Sequence, residues 1–291
     1  MKIAIHGRSF NKEVKPYVQS LLDFLYQRQV EFSFSTSFYH FLVESDMTTY
    51  SSNTYQHPYQ APKVDFIFSI GGDGTLLESV MQAGQHQTPI WGINTGRLGF
   101  LATVSPPLIE VTLQTLFSGN YRTEERTLVN LTSNIELFEG YTFALNDFTI
   151  TKTDTSSMIT VHAYLNGAFL NSYWADGLII STPTGSTGYS LSCGGPVVLP
   201  TNEVFVITPI SPHNLNVRPM IIPDSSQLSF KVESRSSNFL VSLDSRSHIV
   251  DESVQLQIQK EQFKAKLVKL PDDDFIETLR TKLHWGLDAR N

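Results

Sequence analysis

The run Gly71-Gly72-Asp73-Gly74-Thr75 follows a short apolar stretch and precedes a helical pattern, a place where a chain can do phosphate chemistry. Glycines let a phosphate reach the backbone without a Cβ in the way, and the next helix turns free N–H groups and a partial positive end toward it. Asp73 is itself negative, so it makes a poor phosphate contact. It suits a base toward a sugar hydroxyl or a carboxylate beside a metal; the plain alternative is a glycine turn with Asp73 as helix cap. A second run, Asp176 to Ser192, follows an apolar segment with a Gly- and Pro-punctuated turn rich in hydroxyls and ending near Tyr189. Hydroxyls and exposed N–H groups fit ribose, phosphate and base edges, and Tyr189 can stack on a ring. The alternative is a Ser/Thr-rich surface loop, disfavoured by the glycines before the apolar restart at Pro196-Val197-Val198. No GxxxxGK[ST] and no GxSxG occurs, which excludes a Walker loop and a nucleophile elbow.

Two further segments stand out. Asn146-Asp147 interrupts the apolar stretch Ala144 to Ile150. Burying such a pair is costly unless it is hydrogen-bonded, although Asn and Asp also favour strand-end turns. The segment Gly92 to Leu101 holds Arg97, which can reach a phosphate or simply sit solvated. Its glycine spacing is not GxGxxG, so a dinucleotide fingerprint of the Rossmann type is not supported. The single cysteine, Cys193, reads as a small structural residue, and His213 as a hydrogen-bonded structural histidine.

These segments need elements to hold them. Lys2 to His6 reads as a strand, Val14 to Tyr26 as an amphipathic helix, and Ser45 to Lys63 as a surface loop. Val64 to Ile70 is a strand apolar on both faces, as in a covered parallel sheet; Leu76 to Ala83 is a helix and Ile90 to Ile93 the next strand. After Pro106-Pro107 a helical segment, Leu108 to Phe117, leads into many short strand candidates. They are Leu128–Thr132, Tyr141–Leu145, Ile159–Leu165, Gly177–Ser181, Val204–Thr208, Gln227–Val232 and Val254–Gln259. The tail from Asp272 to Trp285 returns to helix.

The 291 residues carry 21 Lys and Arg against 28 Asp and Glu, a net charge of −7, with 41 % hydrophobic residues. That balance supports a sizeable core and excludes a disordered or fibrous chain. No basic block suggests nucleic acid, no apolar run reaches a membrane span, and no signal-peptide pattern opens the chain, so a cytoplasmic protein is expected.

Taken together, the segments resemble the NAD kinase family of the ATP-dependent, bacterial type. The blocks are GGDGT at 71–75, GINTGRLGFL at 92–101, ALNDFTI at 144–150, DGLIISTPTGSTGYSLSCGGPVV at 176–198, TPISPHNLNVRP at 208–219 and LRTKLHWG at 279–286. GGDGT alone is shared with diacylglycerol and sphingosine kinases and phosphofructokinases; the block at 176–198 singles out NAD kinase. The chain departs from the family at three places: Asp147 for the usual Glu, Gly188 for Ala, and Trp174 where Arg is common.

The resemblance implies an α/β N-terminal domain, residues 1–105, and a mostly β, sandwich-like domain, residues 106–271. The C-terminal helix, 272–291, would pack back on the first domain. It implies an active site between the domains and transfer of the ATP γ-phosphoryl group to the 2′-hydroxyl of the adenosine ribose of NAD, giving NADP. Asp73 would take the proton from that hydroxyl, beside Gly74. Asn146 and Asp147 would hold NAD, Asp176 its carboxamide end, and Thr187, Gly188, Tyr189, Ser190, Leu191 and Ser192 a base pocket. Arg97, Phe100, Trp174, Thr184, Ser211 and Arg246 complete the expected substrate contacts. A divalent metal, Mg²⁺ by preference, would accompany ATP; no residue is expected as a dedicated metal ligand. A homodimer or homotetramer is expected, with no nucleic-acid or membrane partner. The alternatives are a lipid kinase of the diacylglycerol or sphingosine type, which needs an apolar groove, and a non-catalytic NAD(P) sensor, which needs no base at Asp73.

Overall fold

A computed structural model describes residues 1–56, 63–96, 99–153, 157–271 and 273–284. Arg97, Asp272 and Trp285 therefore lie outside the described residues. The chain divides into two compact units, residues 1–125 with the return segment from Ala265, and residues 126–264.

In the first unit, strands and helices alternate: β1 (Lys2–Gly7), α1 (Lys15–Gln27), β2 (Glu31–Ser35), α2 (Thr36–Glu44), β3 (Thr54–Tyr55), β4 (Phe66–Gly71), α3 (Asp73–Ala83), β5 (Ile90–Asn94), α4 (Ile109–Phe117) and β6 (Arg122–Arg126). The expected loop 45–63 thus contains a two-residue edge strand, β3, paired in parallel with β2. Every residue of β4 and β5 is buried, because helices cover both faces of a parallel sheet. β1 pairs in parallel with β2 on one side and with β4 on the other. The strand order β3-β2-β1-β4-β5 therefore reverses between β1 and β4. In open α/β sheets, ligands bind beyond the carboxyl ends of the strands at such a switch point.

The second unit is a two-sheet β structure. Its strands are β7 (Val129–Ser133), β8 (Phe143–Ala144), β9 (Asp147–Lys152), β10 (Ile159–Leu165), β11 (Ala168–Ala175), β12 (Gly177–Ser181), β13 (Val204–Ile210), β14 (Met220–Pro223), β15 (Leu228–Glu233), β16 (Asn238–Leu243), β17 (Arg246–Asp251) and β18 (Leu256–Lys260); a four-residue helix, α5 (Tyr189–Ser192), follows β12. The sheets run β11-β10-β15-β18-β7-β8 and β14-β13-β12-β9-β16-β17. Alternating apolar residues from both, among them Val161, Phe230 and Ile258 against Phe148, Ile180 and Val241, form one buried core. The chain then returns to the first unit as β19 (Ala265–Lys269) and α6 (Phe275–Leu283).

The unit boundaries differ from the expected 105/106 and 271/272. α4 stays with the first unit because its apolar face, Ile109, Leu113 and Leu116, enters that core, and Phe117 meets Phe24 of α1 edge-on at 5.2 Å. β19 joins the first sheet beside β5, with Leu267 opposite Ile90. A short apolar strand carries no mark of the sheet it will join, so residues 265–269 fall within the expected β domain, 106–271, although they belong to the first sheet. Among the described residues no helix is long and apolar enough to cross a membrane.

Candidate active site

In the first unit, β4 ends at Gly71 and α3 begins at Asp73, so the glycine turn stands at the switch point. Gly72 is the N-cap residue, and no side chain caps the helix. Asp73 is thus not a cap. Its carboxylate turns instead to the segment after β5, where Oδ2 accepts from the Phe100 N–H at 2.8 Å and Oδ1 from Leu101 and Ala102 at 3.1 and 3.2 Å. That segment is folded back by Asn94, whose N–H donates to the Val104 carbonyl at 2.8 Å and whose Oδ1 accepts from Gly96 at 2.8 Å. Gly99 is required there: a Cβ on it would overlap the Asp73 carboxylate. Gly72 and Gly74, by contrast, have open space where a Cβ would stand, which leaves the helix N-terminus approachable. Lys282 of α6 lies 3.8 Å from Asp73 Oδ2.

The second unit assembles its candidates through strand register. β9 pairs with β12 so that Asp147 lies opposite Ser181, and with β16 so that Phe148 lies opposite Leu243. Three loops therefore meet at one end of one sheet: 144–147, 182–188 and the β16–β17 turn. Asp244 in that turn accepts from the backbone N–H groups of Leu145, Asn146 and Asp147 at 3.0, 2.8 and 3.3 Å. Thr182 closes the other side, its N–H donating to the Asn146 carbonyl at 2.9 Å and its hydroxyl to the Leu145 carbonyl at 2.5 Å. Gly185 packs directly on the Asn146 backbone, where a Cβ would clash. Asp147 is only 6 % exposed. Burial, and then the neighbouring Asp244, push its carboxyl up to about 8.

The remaining candidates divide by exposure. Tyr189 presents an exposed ring, Ser192 and Trp174 are exposed, and Thr187, Gly188 and Leu191 are half-buried beside them. Trp174 lies against the His213 ring at 5.0 Å. Ser211 is exposed and adopts a φ of 45°. Ser190 is fully buried and bonded to Thr208 at 2.8 Å, and Thr184 is buried with Arg126 donating to its hydroxyl at 3.3 Å. Asp176, at the far end of β12, pairs with Lys152 at 2.7 Å. Burial raises the Tyr189 hydroxyl pKa, and Cys193, Asp147 and Asp176 push it the same way. Arg246 donates to the carbonyls of Tyr141 and Phe143 and lies over the Phe138 ring at 5.5 Å, so its guanidinium holds the 141–143 backbone.

Sequence reading passed over Asp244, Lys152 and Lys282. Asp244 sits in a Leu-Asp-Ser-Arg hairpin turn, where an aspartate is ordinary; only strand register brings it beneath Asn146.

The N-terminal domain of ATP-NAD kinases matches residues 3–121, and the C-terminal domain matches residues 145–270. An NAD kinase of Cytophaga hutchinsonii is 54 % identical over 292 residues, covering 100 % of both chains. One of Flavobacterium psychrophilum is 46 % identical, again over 100 % of each. Among solved structures, yeast NADH kinase complexed with NADH shares the fold at a TM-score of 0.88 and 23 % identity, over 99 % of this chain and 88 % of that one. An Archaeoglobus fulgidus NAD kinase in complex with ATP gives 0.76 at 26 % identity, over 98 % and 99 %. With both family domains matched in order and bacterial relatives alike from end to end, this chain belongs to the NAD kinase family.

Proposed function

We propose that this chain transfers the γ-phosphoryl group of ATP to the 2′-hydroxyl of the adenosine ribose of NAD, giving NADP and releasing ADP as the β–γ phosphoanhydride bond breaks, with Asp73 as the base. The observation that carries the reading is the Asp73 carboxylate itself, turned away from capping α3 and held at an open glycine turn at the sheet's switch point. Phosphoryl transfer asks for positioning and charge neutralisation more than covalent chemistry. Asp73 accepts the hydroxyl proton as the oxygen attacks, and the open Gly72 and Gly74 backbone leaves room for phosphate oxygens at the N-terminus of α3.

NAD is held by Asn146 and Asp147, with Asp176 toward its carboxamide end. Tyr189 supplies the exposed aromatic face at the lip of the loop, with Thr187, Gly188, Leu191 and Ser192 around it. Ser190 and Thr184, whose hydroxyls are already bonded, shape that loop from beneath, and Arg246 fixes the strand leading to Asn146. Phe100 contributes its N–H to Asp73, and Trp174 and Ser211 offer exposed surface to the dinucleotide.

Among the described residues no three His, Cys, Asp or Glu stand together as a metal-binding group. A divalent ion, Mg²⁺ by its oxygen chemistry, enters with the triphosphate as part of the ATP substrate. The same reading carries assembly as a homodimer or homotetramer in the cytoplasm. The two edge strands of one sheet, β14 and β17, expose Ile221 at 51 % and Ile249 at 68 %, apolar surface that a partner copy would cover. Incubation of purified protein with NAD, ATP and Mg²⁺ tests the reading: NADP must form, and only when ATP is present.

A further inference from the structure

Among the described residues, three backbone N–H groups reach the Asp73 carboxylate. An ionised carboxylate offers about four lone-pair sites. Two on Oδ1 take the Leu101 and Ala102 N–H groups, and one on Oδ2 takes the Phe100 N–H. The second lone pair of Oδ2 takes no hydrogen bond from the described residues, and the Lys282 ammonium faces that oxygen as a charge, 3.8 Å away. Lys282 is also 4.6 Å above the Phe100 ring, so it touches both the carboxylate and the residue that donates to it.

The helix carrying Lys282 is fastened to the same segment at its other end. Asp273 accepts from the Thr103 hydroxyl at 3.1 Å and from the Leu270 N–H at 3.0 Å, and its carbonyl accepts from Arg122 at 3.2 Å. The Phe275 ring lies 6.4 Å from that of Phe100. Phe275 and Lys282 are seven residues apart, two turns on one face of α6. One helix face thus grips segment 100–103 and ends in the cation that meets Asp73.

We propose that Lys282 is a positioning residue for Asp73, its ammonium and the Phe100 N–H together orienting Oδ2 so that the carboxylate meets the attacking hydroxyl. This rests on the assignment of Asp73 as the base. The competing explanation is that Lys282 only complements the C-terminal dipole of α6, where basic residues are favourable anyway.

The two differ in steady-state kinetics. Lys282→Met is expected to lower kcat about three- to tenfold, with the KM values for NAD and ATP within about twofold of wild type, because a small displacement of a reacting group costs rate rather than binding. Lys282→Arg, which keeps the cation, should regain most of that loss. In an Asp73→Asn background, Lys282→Met should cost nothing further, since its effect runs through the carboxylate. Melting temperatures measured alongside keep folding separate from rate; the side chain is 31 % exposed. An unchanged kcat in Lys282→Met overturns the proposal. So does an equal loss with and without Asp73, or a raised KM for ATP at constant kcat, which would make Lys282 a substrate contact. Wild-type protein that forms no NADP fails the functional reading instead, and this inference falls with it.

Discussion

Asp73 and Asp147 are the same side chain placed in opposite surroundings. Asp73, 30 % exposed, is surrounded by donors: three backbone N–H groups and an ammonium. Asp147, 6 % exposed, has a second carboxylate as its charged neighbour, and burial and that neighbour push its acid up to about 8. The first arrangement keeps an acceptor aimed. The second makes a protonated carboxyl, which at neutral pH both donates and accepts. One unit therefore presents a group fit to take a proton, and the other a group fit to bind hydroxyls without bringing charge.

The largest expected effect breaks the first half of that contrast. Asp73→Asn keeps the shape but removes the proton acceptor, so kcat should fall about 10²- to 10⁴-fold. NAD binding, measured by calorimetry, should stay close to wild type; a variant with near-normal turnover would falsify the base assignment.

The second prediction concerns stability against pH, and its sign follows from Asp147. An unfolded aspartate titrates near 3.9 and the folded one at about 8, so between those values the native state holds a proton that the unfolded chain has lost. The stability this group supplies is complete below about pH 4 and is lost as pH rises through about 8. Denaturant melts from pH 5 to 8.5 should show wild type losing stability relative to Asp147→Asn by an amount on the order of a few kcal/mol. Parallel curves for the two proteins would show that Asp147 titrates normally and carries charge at neutral pH.

A smaller effect is expected at Tyr189. Replacing its exposed ring with Ala should weaken NAD binding by about 0.5–1.5 kcal/mol beyond lost contact area, with ATP affinity nearly unchanged. Equal loss for both nucleotides would mean that the substitution disorders the loop. The smallest effect sharpens the second half of the comparison. Because the Asp147 carboxyl is protonated at neutral pH, an amide reproduces its mixed donor and acceptor character. Asp147→Asn should accordingly keep the KM for NAD within about threefold at pH 7. A much larger rise would show that NAD binds the ionised form.

The sequence by itself determined the local devices. Apolar runs ending in glycine marked β4 and the turn after it, short strand-forming runs marked most strands of the second unit, and the order of short blocks marked the family. These signals are legible because they depend on neighbours a few residues apart. Even there, α3 starts three residues earlier than its apolar period suggests, since Asp73 to Thr75 make its first turn. Tertiary structure alone decided which sheet β19 joins, and so where the units divide. It also decided that Asp73 accepts from residues 27 to 29 positions away rather than capping its own helix, that Asp244 lies beneath Asn146, and that Lys282 reaches Oδ2. Each of these rests on strand register or helix docking, which bring together residues that no local pattern links. The protonation of Asp147 follows for the same reason, because burial and a second carboxylate are properties of the folded surroundings and not of the residue.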